Sequence, residues 1–310
     1  MKKTKKEFKS QPKVSIVFVN WDGKKDTFEL LNSLKKISYP NYDVIIVDNG
    51  SSESIEEEFN TKYGRYATLI LNKKNLGLAE GTNIGIREAL KRKSKYILTM
   101  NNDMHVDKKF LTILVEKMEK NKEVAVAGPK IYYSNPSNMI WSAGCDYHLW
   151  GFKSRHQNEI DQRQADKKEF VDGIDCVLMM RSKILEKIGL LDKDFFIMDE
   201  FTEWCLRASK RGWKLLFVPD SKVWHKVSSN LGKSEIGSKI SVYYWSRNWL
   251  LDIKKNKNFL YFFLILILHS TVFAIYRSLK YIKNQQPILI KYYYKGILDA
   301  IKGKKGQTIL

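Results

Sequence analysis

Three short polar clusters in this chain carry side chains fit for binding chemistry, and each closes an apolar run. Val14 to Val19 (VSIVFV) ends on Asn20, and Val44 to Val47 (VIIV) ends on Asp48-Asn49-Gly50-Ser51-Ser52. Tyr96 to Met100 ends on Asn101-Asn102-Asp103. A carboxylate such as Asp48 accepts hydrogen bonds from hydroxyl and N–H groups, so it suits a ribose or a base. Asp103 suits a hard divalent cation, Mg²⁺ or Mn²⁺, for which carboxylate oxygens are preferred ligands. Asp and Asn in such places also cap the next helix or fill an Asx-turn, so any one cluster leaves both readings open.

The runs before the clusters predict what positions them. Continuous β-branched apolar stretches mark strands buried on both faces. Between them Asp26 to Lys36 places Phe28, Leu30, Leu31 and Leu34 at helical spacing. Ser54 to Tyr63 reads as a second helix, Ala67 to Leu71 as a third strand, and Gly81 to Lys93 as a third helix before the strand at Tyr96. Strands alternating with helices predict an α/β, doubly wound, mostly parallel sheet, with ligands beyond the carboxyl ends of the strands. Asp48 and Asp103 then face one crevice. No G-x-G-x-x-G follows the first strand and no G-x-x-x-x-G-K-[ST] occurs, which removes the dinucleotide fingerprint and the P-loop.

Composition narrows the class further. The 310 residues are 44% hydrophobic and 13% aromatic, which excludes intrinsic disorder. Cys145, Cys176 and Cys205 are far apart with no C-x-x-C spacing, as suits a reducing compartment. The N-terminus has charge without an apolar run behind it, predicting no signal peptide and a cytoplasmic location. Of the net charge of +20, residues 1–13 carry +5 and residues 253–310 carry +10. The second group flanks an 18-residue uncharged run, Phe259 to Tyr276, so it points to an anionic membrane surface rather than nucleic acid. The run is roughly 27 Å long as a helix, just enough to cross a bilayer. Basic flanks on both sides and the interruption at His269 and Ser270 favour an in-plane or re-entrant helix over a span or a core helix.

Taken in order, the blocks resemble family 2 glycosyltransferases, and within them the rhamnosyltransferase-like branch. The matching segments are Val14 to Gly23, Val44 to Glu53, Asn75 to Ile86, Ile97 to Asp107, Ala127 to Tyr133, Ile188 to Phe196 and Val218 to His225. The resemblance implies the A-type glycosyltransferase fold, a nucleotide-diphospho-sugar donor and a divalent metal. It also implies inversion at the anomeric carbon and a lipid-linked or glycan acceptor for cell-surface polysaccharide. It divides the chain into a basic tail at 1–12, a catalytic domain at 13–250 and a helical membrane-associating tail at 251–310.

Residue by residue, the resemblance gives Val19, Asn20 and Asp48 to the nucleotide base, and Asn75, Gly77 and Asn83 to the loop and helix beneath the ribose and phosphates. Asn101-Asn102-Asp103 stands where the family has a D-x-D-type motif, so Asn102 lines the donor and Asp103 holds the metal, with His225 completing it. Arg247, in YYWSRN (Tyr243 to Asn248), either meets the diphosphate or anchors the tail helices. Trp141, Trp150 and Trp224 either stack on sugar or belong to the core. The family's E-D-x-D base motif falls on Glu200-Phe201-Thr202-Glu203, which puts Phe201 at the usual base position. Phe201, Trp204, Cys205 and Ala208 form an apolar helical stripe, so a one-residue shift makes Asp199-Glu200 the paired carboxylates. Glu200 is the expected base and Asp199 the runner-up. Glu203 orients the acceptor or pairs with Arg207 at i, i+4. Asp175 is a second departure, standing where the family has Gly, with Gly173 nearby.

Two other classes stay open. A catalytically inactive relative binding nucleotide or glycan as a partner subunit fits Phe201 at the base position. A sugar-nucleotide nucleotidyltransferase shares the sheet but needs a Gly/Arg/Lys-rich loop after the first strand, which is missing.

Overall fold

All seven residues of β1 (Val14–Asn20) are buried, as a β-branched run paired on both sides must be. β1 pairs in parallel with β2 (Tyr42–Asp48) and β4 (Tyr96–Thr99), and β3 (Ala67–Leu71) adds in parallel beyond β2. The crossovers are α1 (Lys24–Leu34), α2 (Glu56–Tyr63) and α3 (Leu78–Lys91). Seen in a computed structural model, the described residues are 11–149, 151–167, 169–227 and 235–308. Most of the expected basic tail, and Trp150, lie outside them.

The second half departs from simple alternation. β5 (Met104–Val106), α4 (Phe110–Lys120) and β6 (Val124–Tyr133) follow β4, then β7 (Ile140–Ser142) and a hairpin of β8 (Cys145–His148) and β9 (Gly151–Ser154). β10 (Leu178–Arg181), α5 (Ser182–Ile188), α6 (Glu200–Lys210) and β11 (Lys214–His225) complete the sheet, in the order β3-β2-β1-β4-β10-β6-β11-β5 with β7 on β6. β10 is antiparallel to both its neighbours, and β5 and β7 are antiparallel to β11 and β6. The sheet is therefore mixed, parallel through its first four strands.

Helices cover both faces. Leu30, Leu31 and Leu34 of α1, Phe59 of α2 and Phe110, Leu111 and Leu114 of α4 fill one core. Ala79, Ile86 and Ala89 of α3, Ile184 and Leu185 of α5 and the expected stripe Phe201, Trp204, Cys205 and Ala208 of α6 fill the other. α3 lies so close to β1 that a Cβ on Gly85 would stand 2.3 Å from Val17 Cγ1.

A third core belongs to α7 (Glu235–Asn256), α8 (Phe259–Ser270), α9 (Val272–Lys283) and α10 (Ile288–Ile301), joined by Phe195 from the loop before α6. α7 runs across residue 250, and Trp249 and Leu250 belong to this core. The apolar run is not one straight helix either. Thr271 (φ −114°, ψ −86°) leaves the helical region and separates α8 from α9.

Candidate active site

The β1–β2 register sets Asn20 opposite Asp48, and a network grows from that pair. Asn20 Nδ2 donates to Asp48 Oδ1 (2.8 Å) and Ser51 Oγ (3.1 Å), and Ser51 Oγ donates to the same Asp48 oxygen (2.5 Å). Thr27 Oγ1 donates to Asn20 Oδ1 (2.8 Å), and Asn102 Nδ2 donates to Thr27 Oγ1 (3.0 Å). Asn102 is thereby tied to β1 and α1, one residue before Asp103. Among the described residues no hydrogen bond reaches Asp48 Oδ2, which leaves that oxygen for a ligand.

The loop after β3 is built on amides. Asn49 Nδ2 donates to Asn75 Oδ1 and to the Gly77 carbonyl (3.0 Å each), and Gly77 N–H donates to Asn75 Oδ1 (2.8 Å). Gly77 sits at φ +87°, where a Cβ would stand 2.5 Å from the Phe196 carbonyl oxygen, so only glycine fits. Val19 packs beside Gly81 on the same helix start. Asn83 is different. Its Nδ2 donates to the Leu191 carbonyl (2.8 Å) and its Oδ1 accepts from Leu191 N–H (3.0 Å), both buried. Asn83, expected beneath the ribose and phosphates, uses its amide to clamp the loop after α5.

Asp103 and His225 meet as expected, with His225 Nε2 3.0 Å from Asp103 Oδ1 and both side chains buried. His225 Nδ1 is buried without a hydrogen-bond partner, and Trp141 packs edge-on against the ring at 4.7 Å. Trp224 lies between His105 and Tyr132 in a row of rings across β5, β11 and β6. A carboxylate oxygen and an imidazole nitrogen at this spacing fit a hard divalent cation. Among the described residues no cluster of three or more His, Cys, Asp or Glu could hold one.

The carboxylates at α6 take three different states. Glu203 Oε1 and Oε2 both accept from Arg207 Nε (2.7 and 3.0 Å), and the same guanidinium donates to the Ile188 and Leu190 carbonyls. The Arg207 pairing is thus the Glu203 alternative that the structure holds. Asp199 and Glu200 instead have buried oxygens, Oδ2 and Oε2, without any hydrogen-bond partner. Burial pushes the Glu200 carboxyl up to about 7. Burial, then the charges of Asp252 and Glu200, raise Asp199 well above the usual carboxylate range. Asp252 of α7 is itself raised to about 7 by burial, the nearby Glu203 adding to it. Burial, then the charges of Asp175, Asp103 and Glu200, raise the Cys176 thiol well above its ordinary range. Asp175, in the position expected to be Gly, accepts from Ser142, Ser154 and Cys145 through one oxygen.

Of the two roles expected for Arg247, its contacts are those of a tail anchor. It is fully buried, its guanidinium donating to Asn248 Oδ1 (2.8 and 2.9 Å) and the Gly306 carbonyl (2.7 Å) and packing over Tyr244. It anchors the tail. Asn248, which closes the YYWSRN block, and Asp252 lie one turn apart on α7, and periodicity gives Asp252 no signal that separates it from an ordinary helix residue.

A sheet of this order, with polar clusters at the ends of β1, β2 and β4 and buried carboxylates opposite, defines an A-type glycosyltransferase. The description Glycosyl transferase family 2 matches residues 15–189, more than half of the chain, and the chain belongs to that family. It is similar to the dTDP-rhamnosyl transferase RfbF of Shigella flexneri, 27% identical over 90% of this chain and 92% of that protein. Among solved structures it is similar to the mannosyltransferase PcManGT from Pyrobaculum calidifontis in complex with GDP-Man and Mn²⁺. That likeness has a TM-score of 0.61 at 11% identity, over 96% of this chain and 89% of the other. GalNAc-T7 with UDP, GalNAc and Mn²⁺ matches at TM-score 0.58 and 16% identity, over 82% of this chain and about half of that one (53%). The protein is a rhamnosyltransferase-like glycosyltransferase.

The clamp role of Asn83 has a direct check. Asn83→Ala leaves the buried Leu191 N–H and C=O unpaired, a cost of about 2–4 kcal/mol. Urea unfolding should show a lower midpoint, while calorimetric donor affinity of the folded protein stays within about twofold. Lost affinity at unchanged stability would make Asn83 a ligand after all.

Proposed function

We propose that the protein transfers a sugar from a nucleotide-diphospho-sugar, dTDP-rhamnose or a related donor, to a hydroxyl of a lipid-linked or glycan acceptor, with inversion. The observation that carries this reading is the buried Glu200 carboxyl at the start of α6, one of whose oxygens has no hydrogen-bond partner. The rhamnosyl donor is supported by the name of the Shigella relative, and a metal-assisted nucleotide donor by the nucleotide and Mn²⁺ in the two similar structures.

In this reading the nucleotide lies over Val19, Asn20 and Asp48, with Asp48 Oδ2 accepting from the base. Asn75, Gly77 and Asn102 shape the floor under the ribose and phosphates. Mg²⁺ or Mn²⁺, held by Asp103 and His225, neutralises the leaving diphosphate when bound. Glu200 takes the proton of the acceptor hydroxyl as its oxygen attacks the anomeric carbon and the bond to the diphosphate breaks. Asp199, adjacent and raised well above the carboxylate range by burial, keeps its proton and lies neutral beside Glu200. Glu203, spent on Arg207, holds α6 in place.

The tail supports an in-plane membrane site. α8 and α9 have 12 residues each, about 18 Å apiece against a hydrocarbon core of ~30 Å. The whole stretch Phe259–Lys283 is long and apolar enough to cross a membrane by length and composition. However, its Ile265, His269, Ala274 and Tyr281 are buried against the protein, and His269 packs on Tyr293 and Trp245. The opposite side exposes Phe259, Leu260, Phe263, Val272, Ile275 and Leu279. One docked face and one apolar face beside lysines suit the cytoplasmic leaflet of an anionic membrane.

Two measurements check these readings. Glu200→Gln should abolish transfer from dTDP-rhamnose, the wild-type rate rising with pH and levelling above about 7 as Glu200 loses its proton. A raised carboxyl stabilises the fold below about pH 4.5 and loses that stability as pH rises through about 7. Glu200→Gln should therefore be more stable than wild type at pH 8, by about 3 kcal/mol, and equal to it near pH 4. Full activity in Glu200→Gln would remove it as base, and a wild type inert with every nucleotide-sugar would favour the inactive relative. For the tail, Phe263→Glu with Ile275→Glu should lower sedimentation with phosphatidylglycerol vesicles at least tenfold while leaving the melting temperature unchanged. Unaltered sedimentation would sink the membrane face.

A further inference from the structure

Glu200 reaches its place through an unusual turn. Met198 (φ +70°) and Asp199 (φ +67°) are consecutive non-glycine residues in the left-handed region, immediately before the helix that starts with Glu200. Asp tolerates that conformation better than most residues, but Met gains nothing from it, at roughly 1–2 kcal/mol. Such a pair persists only where its surroundings over-determine it.

What holds the turn comes from α7. Asn248 Nδ2 donates to the Ile197 carbonyl (2.8 Å) and to the Met198 carbonyl (2.9 Å). Its Oδ1 accepts from Arg247 Nε (2.9 Å) and Nη2 (2.8 Å), so the amide can point only one way. Arg247 is fixed in turn by the Gly306 carbonyl, and Gly306 N–H donates to the Asp194 carbonyl (2.9 Å). Asn248 is fully buried, and no solvent competes for these bonds. On the other side of the turn, Thr202 Oγ1 and Glu203 N–H both donate to the Asp199 carbonyl. The left-handed pair is thus gripped from α6 and from α7.

We infer that Asn248 is a positioning residue for the transfer reaction: its amide, oriented by Arg247, holds the Met198–Asp199 turn that aims Glu200. This rests on the reading of Glu200 as base. It makes α7 part of the reaction machinery as well as the root of the tail. A side chain on a helix outside the family-matched residues 15–189 then governs a carboxylate that also lies outside them.

The discriminating variant is Asn248→Asp in the full-length protein, assayed with dTDP-rhamnose and acceptor beside Glu200→Gln. Aspartate keeps the volume and pairs with Arg247, but it cannot donate to two carbonyls. The expected result is kcat down at least 30-fold with donor KM within about threefold and a cooperative melt retained. Asn248→Ala should show the same split, and adding Met198→Gly, which takes the left-handed conformation without cost, should recover at least fivefold in kcat. Wild-type kcat in a folded Asn248→Asp, with Glu200→Gln inactive, overturns the positioning role alone. Loss of kcat in Asn248→Ala that Met198→Gly leaves untouched also overturns it. An active Glu200→Gln overturns the base reading on which it stands. If Asn248→Ala does not fold, Asn248→Asp decides.

Discussion

The molecule depends on keeping two carboxyls dry. An oxygen of Asp199 and one of Glu200 are buried with no hydrogen-bond partner, at a cost ordinarily of a few kcal/mol apiece. That cost has to be met by the frame around them. α6 is anchored in the core of the sheet by Phe201, Trp204, Cys205 and Ala208, and the turn before it is held by Asn248 of α7. A helix start held from both sides cannot rotate to let water in. The carboxyls respond by shifting their protonation rather than by finding partners.

Five acids in and around the site show how environment alone separates roles. Asp48 has one oxygen saturated by Asn20 and Ser51 and one without a bond, which suits a binding group. Asp103 faces an imidazole, the combination a divalent cation takes. Glu203 spends both oxygens on Arg207 and with it ties α6 to the loop after α5. Of these five only Asp199 and Glu200 have a buried oxygen without a partner, and a carboxyl raised to about 7, as Glu200 is, is the kind that can accept a proton at physiological pH.

Much of this was legible in the sequence where the determinants are local. The apolar runs ending on Asn20, Asp48 and Asp103 became β1, β2 and β4, with boundaries moved by one or two residues, because continuous β-branched runs leave few alternatives. The apolar stripe through Phe201 and Ala208 was equally readable. What stayed hidden depends on distant partners. The Asn83 clamp closes across 108 residues, and Arg247 finds its acceptor 59 residues on, at Gly306. The antiparallel insertion of β10 between β4 and β6 leaves no mark in periodicity, since a central strand looks the same in either direction. The left-handed Met198 was invisible because no glycine announces it.

The same long-range contacts explain why an apolar tail is welded to a catalytic sheet rather than tethered by a loose linker. Phe195, just before the strained turn, belongs to the tail's own core with Trp249 and Tyr293. The Asp194 carboxylate accepts from Lys255 and Lys305, and the Asp194 carbonyl from Gly306. α8 and α9 pack on that same core, so their exposed apolar face has a fixed orientation relative to Glu200. On the proposed reading a flexible linker would deliver the enzyme to the membrane but leave its crevice free to tumble. A rigid one sets the height and angle of Glu200 above the headgroups, which matters when the acceptor hydroxyl is itself held at a fixed depth by a lipid. Rigidity of the tail, more than its hydrophobicity, is then what such an acceptor requires.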